Sequence, residues 1–554
     1  MKRFLIPFSA VLLAGFILTA FRADDDLFEL RKNFEIFGSI YEEIAVGYVD
    51  DVRPAPFMRA GIEAMLGQLD PYTSYYDEAD MVDMRLIRER KIGVVGVSLG
   101  LRGGRVTVLS PEDDAGAYRQ GLRRGDVLLQ IGEADTDGMV VAEAVEALSG
   151  DPGTTIDVLV QRSGENRSRS FKLLRERPRF TNVSFSGYLG ADSTDGIAVV
   201  TLDRFGNRSG REVKRALRNM HRDVELKGIV LDLRDNPGGI LGEAIDIVEL
   251  FVPKQTVVVS TRSRADDSVT RYRTEEDPLF PDTPLVILMN RFSASASEIV
   301  AGALQDHDRA VIIGETSFGK GLVQIVRSLP YNASLKLTIS HYFLPSGRTI
   351  HSAELNTASA TVATPTVLDH TTAAGRLVRG GLGVEPDVAV GGAVVTELET
   401  ALLQESAFFL FANQWVSAHC IQQGSQQDDP PANCAGDDDA LFEEFSLWLD
   451  QSGFSLVTQT DLLLSELEAS GAEEGYATLA PHLQELRTAL GEEKATRLHE
   501  IRGRVISRLR SEIRGRIMDE REQAIAEMLE DEWMNEAEQL VRRPRNWRQM
   551  LSAN

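Results

Sequence analysis

The middle of the chain alternates short apolar runs with amphipathic helical segments. Between about residues 181 and 392, runs such as "GIAVVTL", "GIVLDLR" and "PLVILM" alternate with segments such as "SGREVKRALRNMH" and "SEIVAGALQDH". Runs rich in valine, isoleucine and leucine, without polar alternation, are typical of strands buried on both faces. Because helical segments of this length serve as crossovers between parallel strands, the region predicts an α/β core around a largely parallel sheet.

The sequences on either side of this core have other patterns. From about residue 91 to 176, short glycine-punctuated runs such as "RVTVLS" and "TIDVLVQR" predict a small, mostly β module that contains one helix. Residues 27 to about 85, and the charged region after about 395, have apolar residues at helical spacing. The polar, aperiodic stretch from 352 to 375 predicts a mobile surface loop.

The C-terminal region contains one regular apolar stripe. Its members recur every fourth residue among arginines and glutamates: Ile501, Val505, Leu509, Ile513 and Ile517. We favour a helical domain that packs on itself or on the core over a partner-binding surface, because one apolar face is the ordinary requirement for packing a helix.

Length and charge limit what the chain can be. With 554 residues it is too long for a single hydrophobic core, so three or more domains are expected. The net charge of −25 disfavours nucleic-acid binding, which needs a basic surface to neutralise phosphates. We therefore expect no nucleic-acid partner.

The N-terminus has the pattern of an export segment. Lys2 and Arg3 precede an apolar run from Phe4 to Phe21, and three aspartates follow. The residues before the candidate cleavage points fit the small-residue rule poorly, so residues 1–24 are either a signal peptide or an uncleaved anchor in the inner membrane. Both alternatives predict an exported, periplasmic protein.

Two cysteines, Cys420 and Cys434, are separated by a polar, turn-rich segment. In an oxidising compartment they are expected to form one disulfide. Two cysteines do not complete a zinc site, and no histidine pair has ligand spacing, so we expect no metal and no cofactor.

The segment "NRFSASASEIVAGALQD" carries three serines between a strand pattern and a helical one. Ser295 and Glu298 have the spacing of a capping box, which predicts that Ser295 satisfies N–H groups of the first helical turn. The position also suits a nucleophile, because the helix start and the N–H of Ala296 can stabilise an oxyanion. Gly238 and Gly239, in the turn after "GIVLDLR", can approach a ligand closely, although turn formation explains them equally well.

A serine nucleophile requires a base, and a lysine is the best candidate. No histidine is in a recognisable triad setting, whereas Lys320 follows "AVIIG", the next strand pattern after the serine segment. A lysine base needs its pKa lowered from about 10.4 to about 7 or 8 by apolar surroundings. Gln324, four residues on, shares a side with Lys320 in either a strand or a helix and can orient the amine.

The pair "SASASEIVAGALQD" and "GETSFGKGLVQ" resembles the carboxyl-terminal processing (tail-specific) serine peptidase family. The motifs "LDPYTSYYD", "GIVLDLRDNPGG", "LPSGRTI" and "GVEPDV" are also similar to that family, so the resemblance covers roughly residues 35–395. It implies a ClpP/crotonase-like fold for the core and identifies the β module as an inserted PDZ domain.

The resemblance also implies roles for individual residues. By position it assigns the nucleophile Ser295, the general base Lys320, the orienting residue Gln324, and oxyanion-hole N–H groups from Ala296 and from Gly238 or Gly239. Asp306, at the end of "AGALQD", is expected to have a supporting role and no chemical one.

In the implied PDZ domain, the loop within "GVVGVSLG" is expected to bind the carboxylate of a C-terminal tail. The tail-binding residues are then Val94, Val95, Gly96 and Val97. The family often has glycine, a hydrophobic residue and glycine in this loop, whereas this chain reads Val94-Val95-Gly96. PDZ domains add the tail as a strand and hold its carboxylate on loop N–H groups.

The expected architecture is multidomain α/β, with one helical region before the β module and another after the α/β core. It has five segments: a signal peptide or membrane anchor (1–24), an N-terminal helical region (25–88), a PDZ domain (89–177), a peptidase core (178–395) and a helical C-terminal domain (396–554).

The expected function is that of an exported serine endopeptidase that forms an acyl-enzyme and recognises protein substrates through their C-terminal tails. The PDZ domain delivers substrate or regulates activity, and the C-terminal domain offers a surface for a homo-oligomer or an adaptor. The alternative is a PDZ-bearing scaffold on a catalytically silent peptidase fold, which predicts loss of the serine or the lysine. Acyl-CoA chemistry on a crotonase-like fold is a third hypothesis, which export disfavours.

Overall fold

The computed structural model describes most of the chain, in the following ranges: 28–77, 93–111, 116–178, 181–189, 193–263, 269–352, 367–391, 395–420, 436–452 and 458–553. The predicted leader at 1–24 and the predicted disulfide partner Cys434 lie outside these ranges. Within them, no helix has both the length and the apolar character that a bilayer-crossing helix needs. The chain forms two compact units, the first built from residues 28–77 and 324–338 and the second from the remainder.

The first unit contains the predicted N-terminal helices. Its elements are α1 (28–47), α2 (Pro54–Leu66) and β1 (Ser74–Tyr76). The Asp70 carboxylate forms the turn of "LDPYTSYYD" by accepting the backbone N–H groups of Tyr72 and Thr73, both at 2.9 Å. After this turn, β1 pairs antiparallel with residues 334–336 of a later strand.

The β module is confirmed as mostly strand. Its elements are β2 (Val97–Arg102), β3 (Arg105–Pro111), α3 (Gly116–Arg119), β4 (Val127–Ile131), β5 (Ala134–Asp135), α4 (Val141–Leu148), β6 (Thr155–Gln161) and β7 (Arg169–Leu174). The strands form one antiparallel sheet of order β2-β3-β4-β6-β7, with β5 beside β4. Alternate residues such as Val106, Val108, Val158 and Val160 form its core, and β2 lies at the edge of the sheet.

The α/β core is also confirmed. Its elements are β8 (Val183–Tyr188), β9 (Ile197–Leu202), α5 (Ser209–Asp223), β10 (Gly228–Asp232), α6 (Leu241–Val248), β11 (Val257–Ser263), β12 (Val269–Arg273), β13 (Leu285–Met289), α7 (Ala296–Asp306) and β14 (Val311–Gly314). In the central sheet β9, β10, β13 and β14 are parallel neighbours, and β8 joins antiparallel at one edge. Each crossover between these parallel strands contains a helix.

Five further strands follow: β15 (Leu322–Ser328), β16 (Ser334–Phe343), β17 (Leu368–Thr371), β18 (Leu377–Gly380) and β19 (Val388–Ala389). Strand β19 extends the parallel sheet beside β14. In the second unit, residues 260–263 of β11 pair antiparallel with residues 340–343 of β16. The predicted loop at 352–375 is wrong for residues 368–371, which pair with β18 in a hairpin. Tertiary pairing orders this segment although its sequence has no strand period.

The C-terminal region is helical as predicted. Its helices are α8 (Glu397–Gln404), α9 (Ala407–Trp415), α10 (Asp438–Gln451), α11 (Gln459–Glu473), α12 (Leu479–Glu500), α13 (Arg502–Ile517), α14 (Glu520–Glu530), α15 (Glu532–Val541) and α16 (Pro544–Met550). The apolar stripe on α13 packs into a helical core with α9 and α10, which confirms the intramolecular interpretation. Cys420 is buried in the same core.

The central sheet is covered on both faces, which explains its continuous apolar strands. In β10, Ile229 and Leu231 face the core that includes α5, α6 and α7, whereas Val230 faces the last two helices of the chain. Trp547 of α16 is buried there and donates its indole N–H to Leu285 O at 2.9 Å. Residues near the C-terminus therefore complete the core that carries the candidate site.

Candidate active site

Ser295 lies at the tight connection between β13 and α7. Its backbone has φ 54° and ψ −108°, a conformation that residues with a side chain rarely adopt. Glu298 accepts the Ser295 N–H at 2.6 Å, which is one half of the predicted capping box. The Ser295 hydroxyl, by contrast, does not cap the helix. Among the described residues this half-buried hydroxyl has no hydrogen-bond partner.

The two flanking serines, Ser293 and Ser297, have structural roles. Both are fully buried, and both tie this connection to the turn after β10. Ser293 donates its hydroxyl to Leu233 O at 2.8 Å, and Ser297 donates to Asn236 O at 3.0 Å. The structure thus separates Ser295 from its neighbours, because only Ser295 keeps its hydroxyl unused within the described protein.

The glycine turn after β10 packs directly against Ser295. A Cβ atom on Gly238 would lie 2.5 Å from Ala294 O, 2.8 Å from Ala296 N and 2.8 Å from Ser295 Cβ. Gly238 also has φ 92°, so both its conformation and its surroundings require glycine. The sequence-predicted glycines and the serine connection therefore meet in the fold.

The N–H groups of this turn are not equivalent. Gly238 N–H donates to Asn236 Oδ1 at 2.9 Å and is therefore already used. The N–H groups of Gly239 and Ala296 have no acceptor among the described residues. Of the two glycines proposed for oxyanion binding, Gly239 is the one that retains an available donor.

Asn236 organises the turn, and sequence analysis missed it. It is fully buried, and its Nδ2 donates to Leu202 O at 2.6 Å while its Oδ1 receives Gly238 N–H. Its own carbonyl accepts Ala294 N–H at 2.9 Å and the Ser297 hydroxyl. An asparagine before proline and two glycines is ordinary turn composition, so no pattern in the sequence indicated this role.

Lys320 lies in the connection that follows β14, and Glu298 fixes this connection beside Ser295. Glu298 Oε2 accepts the backbone N–H of Lys320 at 2.9 Å as well as that of Ser295. Its Oε1 accepts the Ser317 hydroxyl and the Gly319 N–H, each at 2.6 Å. One carboxylate therefore joins the serine connection to the lysine connection, a role beyond helix capping that the sequence did not reveal.

Glu298 itself is completely buried in this position. Burial raises the pKa of its carboxyl to about 7, although its four hydrogen-bond donors oppose the rise. Ser317 extends the network by accepting Val384 N–H at 2.7 Å, which anchors the segment "GVEPDV". Proton binding at Glu298 near neutral pH therefore acts on the connections of both Ser295 and Lys320.

Gln324 belongs to the first compact unit. Its Nε2 donates to Tyr72 O at 2.9 Å and to Thr338 Oγ1 at 3.4 Å. The Nε2 atom of Gln324 therefore donates to two protein acceptors, and Oε1 is the atom of this side chain that can accept a hydrogen bond. The carbonyl of Tyr72 comes from the "LDPYTSYYD" motif, which links that motif to Gln324.

Asp306, at the end of α7, makes structural contacts of the kind expected for a supporting role. Its Oδ1 lies 2.9 Å from Nη2 of Arg348, and both side chains are almost completely buried. Its Oδ2 accepts the backbone N–H of Ser346 at 2.9 Å. The residue therefore anchors the segment "LPSGRTI" to the helix that begins at Ser295.

The predicted tail-binding residues lie in the β module, just before β2. Val94 exchanges backbone hydrogen bonds with Glu176, both at 2.8 Å, and Val95 is buried. Gly96 has φ 72°. The N–H groups of Val95 and Gly96 have no acceptor among the described residues, and Val97 then begins the edge strand β2.

Comparison with known protein families gives two matches. Residues 196–358 match the model of peptidase family S41. Residues 398–541 match a model described as the C-terminal helical domain of a probable PDZ-protease. The first match contains the serine and lysine connections, and the second contains most of the C-terminal helices.

Individual proteins are also similar. The carboxy-terminal-processing protease of Bartonella bacilliformis is 35% identical over 322 residues, which cover 58% of this chain and 73% of that protein. A probable CtpA-like serine protease of Staphylococcus aureus is 29% identical, and the match covers 58% of this chain and 63% of the relative. The solved photosystem II D1 C-terminal processing protease is 23% identical, with a TM-score of 0.37 over 64% of this chain and 86% of that one. The chain is therefore a member of peptidase family S41, the family of the carboxy-terminal-processing proteases.

Proposed function

We propose that the protein is a serine endopeptidase in which Ser295 is the nucleophile and Lys320 the general base. The main observation is that three loop segments lie together in the fold: the serine connection, the glycine turn and the lysine connection. Ser295, in an uncommon backbone conformation, has an unused hydroxyl; the glycine turn packs against it; and Glu298 ties it to Lys320. Family membership supports peptide hydrolysis as the reaction.

The reaction is acyl transfer. The neutral Lys320 amine takes the proton of the Ser295 hydroxyl as the oxygen attacks a peptide carbonyl. The resulting oxyanion accepts hydrogen bonds from the N–H groups of Gly239 and Ala296, whose donors are otherwise unused in the described protein. The amine leaves with the proton, and water then hydrolyses the acyl-enzyme with the same lysine as base.

Gln324 orients the lysine amine in this proposal. Its position four residues after Lys320, and its match to the family motif, support that role. Because its Nε2 donates to Tyr72 and Thr338, Oε1 is the atom suited to accept a hydrogen bond from an amine.

The β module is proposed to be a PDZ domain that binds the C-terminal tails of protein substrates. Two features support it: β2 is an edge strand to which an extended peptide can add, and the N–H groups of Val95 and Gly96 precede it without protein acceptors in the described chain. Edge-strand addition with carboxylate capture on loop N–H groups is the PDZ mode of recognition.

We also propose that the protein is exported and works in the periplasm, released or anchored at the inner membrane. The support is the N-terminal order of Lys2 and Arg3, the apolar run and the three aspartates. We further propose that the C-terminal helices provide a surface for a homo-oligomer or for adaptor binding.

The decisive test is cleavage of an unstructured protein that carries an apolar C-terminal tail. Wild type should cleave it, and Ser295→Ala should lose at least about 1,000-fold in kcat. Ser446→Ala is the control: its hydroxyl donates to Phe442 O at 2.9 Å within α10, so it should lose stability by about 1 kcal/mol but keep catalysis. Undiminished cleavage by Ser295→Ala would reject the nucleophile.

Two further results separate the remaining alternatives. Lys320→Ala should abolish the change in rate near neutral pH in the rate–pH profile. An unaffected variant would reject Lys320 as the general base. If wild type and Ser295→Ala both bind the tail without cleaving it, the protein is instead a PDZ-bearing scaffold.

A further inference from the structure

An ion pair joins the C-terminal helical region to the segment that leads into the turn beside the candidate nucleophile. Asp531 precedes α15, and its Oδ2 lies 2.5 Å from Nη1 of Arg234. Arg234 follows β10 by two residues and introduces the turn that carries Gly238 and Gly239. The two partners lie in the regions matched by two different family models.

Arg234 is held from both sides. Its Nη2 donates to Asp232 Oδ2 at 2.6 Å, and its Nε donates to Asp232 Oδ1 at 3.0 Å. Its guanidinium carbon also lies 5.5 Å from the centre of the Trp533 ring. Burial by itself would lower the pKa of Arg234, but the charges of Asp232 and Asp531 raise it. The cation therefore stays charged, and removing one carboxylate weakens a charge-assisted contact that is partly shielded from water.

Hydrogen bonds of the residue after Arg234 link it to the serine connection. The next residue, Asp235, has φ 58° and exchanges hydrogen bonds with the Asn290 side chain, at 3.0 and 2.9 Å. Asn290 lies at the end of β13, five residues before Ser295, and its N–H donates to Ser293 Oγ at 2.9 Å. The chain then continues from Asp235 into Asn236 and the glycine turn. Any shift of Arg234 therefore moves the donors of the proposed oxyanion hole relative to Ser295.

Small shifts of this kind matter for rate. Oxyanion donors act only when they are aligned with the developing charge, and a misplacement of about 1 Å can cost about 100-fold in rate. Substrate binding away from the reacting carbonyl does not depend on that alignment. A contact that positions the turn is thus expected to change kcat more than KM.

We propose that Asp531 is a positioning residue for the peptidase reaction, acting through Arg234 to hold the glycine turn against Ser295. The proposal rests on the proposed function, because it presupposes reaction at Ser295. The C-terminal helical region then contributes to the chemical step without contacting substrate.

Asp531→Asn separates this role from simple helix capping. Asp531 Oδ1 accepts the N–H of Trp533 at 2.8 Å, and asparagine is an equally good N-cap, so the variant keeps the cap while losing the charge. Asp519→Asn is the matched control, because Asp519 caps α14 through Glu522 N–H at 2.7 Å and lies in the same region. We expect Asp531→Asn to lower kcat about tenfold with an unchanged KM, while Asp519→Asn keeps the wild-type kcat. Equal kcat values for the two variants, or a change in KM alone, would overturn the proposal.

A double-mutant cycle tests the route through Arg234. Arg234→Gln removes the guanidinium charge, so Asp531→Asn should have little further effect on kcat in that background. Fully additive effects would show that Asp531 does not act through Arg234. Ser295→Ala, measured alongside, separates the two proposals: if it still hydrolyses peptide bonds, the proposed function fails, whereas an inactive Ser295→Ala with an unaffected Asp531→Asn rejects only the positioning role.

Discussion

The backbone N–H groups of Ser295 and Lys320 donate to the same oxygen atom, Oε2 of Glu298, at 2.6 and 2.9 Å. The proposed nucleophile and the proposed base are thus held by one buried carboxylate, although they are on connections that follow different strands. Because Glu298 accepts hydrogen bonds from these two backbone N–H groups, it fixes both backbones without engaging the Ser295 hydroxyl.

Glu298→Gln should therefore impair catalysis. The amide can keep the donors on one oxygen, but its NH2 group then faces Gly319 N–H, which leaves a buried donor without an acceptor. We expect kcat to fall about tenfold or more with little change in KM, measured on the unstructured protein substrate. Glu399→Gln is the control, because Glu399 accepts Thr396 N–H at 2.9 Å in another capping box, on α8. Wild-type kcat in Glu298→Gln would contradict the positioning role of this carboxylate.

The raised pKa of Glu298 predicts a pH-dependent contribution to stability. Burial raises the pKa to about 7 in the folded protein from 4.5, so the folded state binds this proton more tightly than the unfolded state. The contribution is fully present below the unfolded pKa and is lost as pH rises through about 7, with a total of roughly 3 kcal/mol. Urea unfolding at pH 5 to 8 should show the stability difference between wild type and Glu298→Gln falling with pH. A difference that is constant over this range would refute the assignment.

Gly238→Ala should disable the site through backbone crowding. The added Cβ would meet Ala294 O at 2.5 Å and Ala296 N at 2.8 Å, and φ 92° is unfavourable for alanine. We expect kcat to fall by roughly 100-fold because the donors of the turn are displaced from Ser295. Gly242→Ala, where a Cβ meets no atom within 4 Å, is the matched control and should remain active. Equal activities would show that close approach of this turn is not required.

Glu512→Gln should loosen the β module from the C-terminal helices. Glu512 Oε2 lies 2.9 Å from Arg124 of the module and 2.9 Å from Arg516, whose side chain is only 4% exposed. Removing the carboxylate leaves the buried Arg516 charge poorly compensated, at a cost of about 1–3 kcal/mol. Hydrogen exchange should increase for backbone amides near Arg124.

Asp157→Asn provides the control for this change. Asp157 forms an exposed contact at 3.9 Å with Lys172 within the module, so its loss should change stability by less than about 0.5 kcal/mol. If Glu512→Gln and Asp157→Asn leave exchange near Arg124 equally slow, the contact with Glu512 does not hold the module.

The order of elements could be predicted because it depends on local patterns. The run "GIVLDLR" became β10, and the stripe at Val505, Leu509 and Ile513 became a buried helix face. Residues 368–371 were missed because the strand that they form is mostly exposed, so its sequence lacks the apolar alternation that would have predicted its hairpin with β18.

The sequence by itself determined the α/β core, the β module and the helical C-terminal region, and it indicated the residues of the proposed site. Periodicity and burial of apolar side chains act over neighbouring residues, so they leave a readable pattern. Only the tertiary structure decided that Gly239 retains the available N–H while Gly238 donates to Asn236, that Glu298 ties Ser295 to Lys320, and that Asp531 meets Arg234. These relationships are hydrogen bonds and ion pairs between residues far apart in the chain, and they exist only once packing of the strands and helices has brought their partners together.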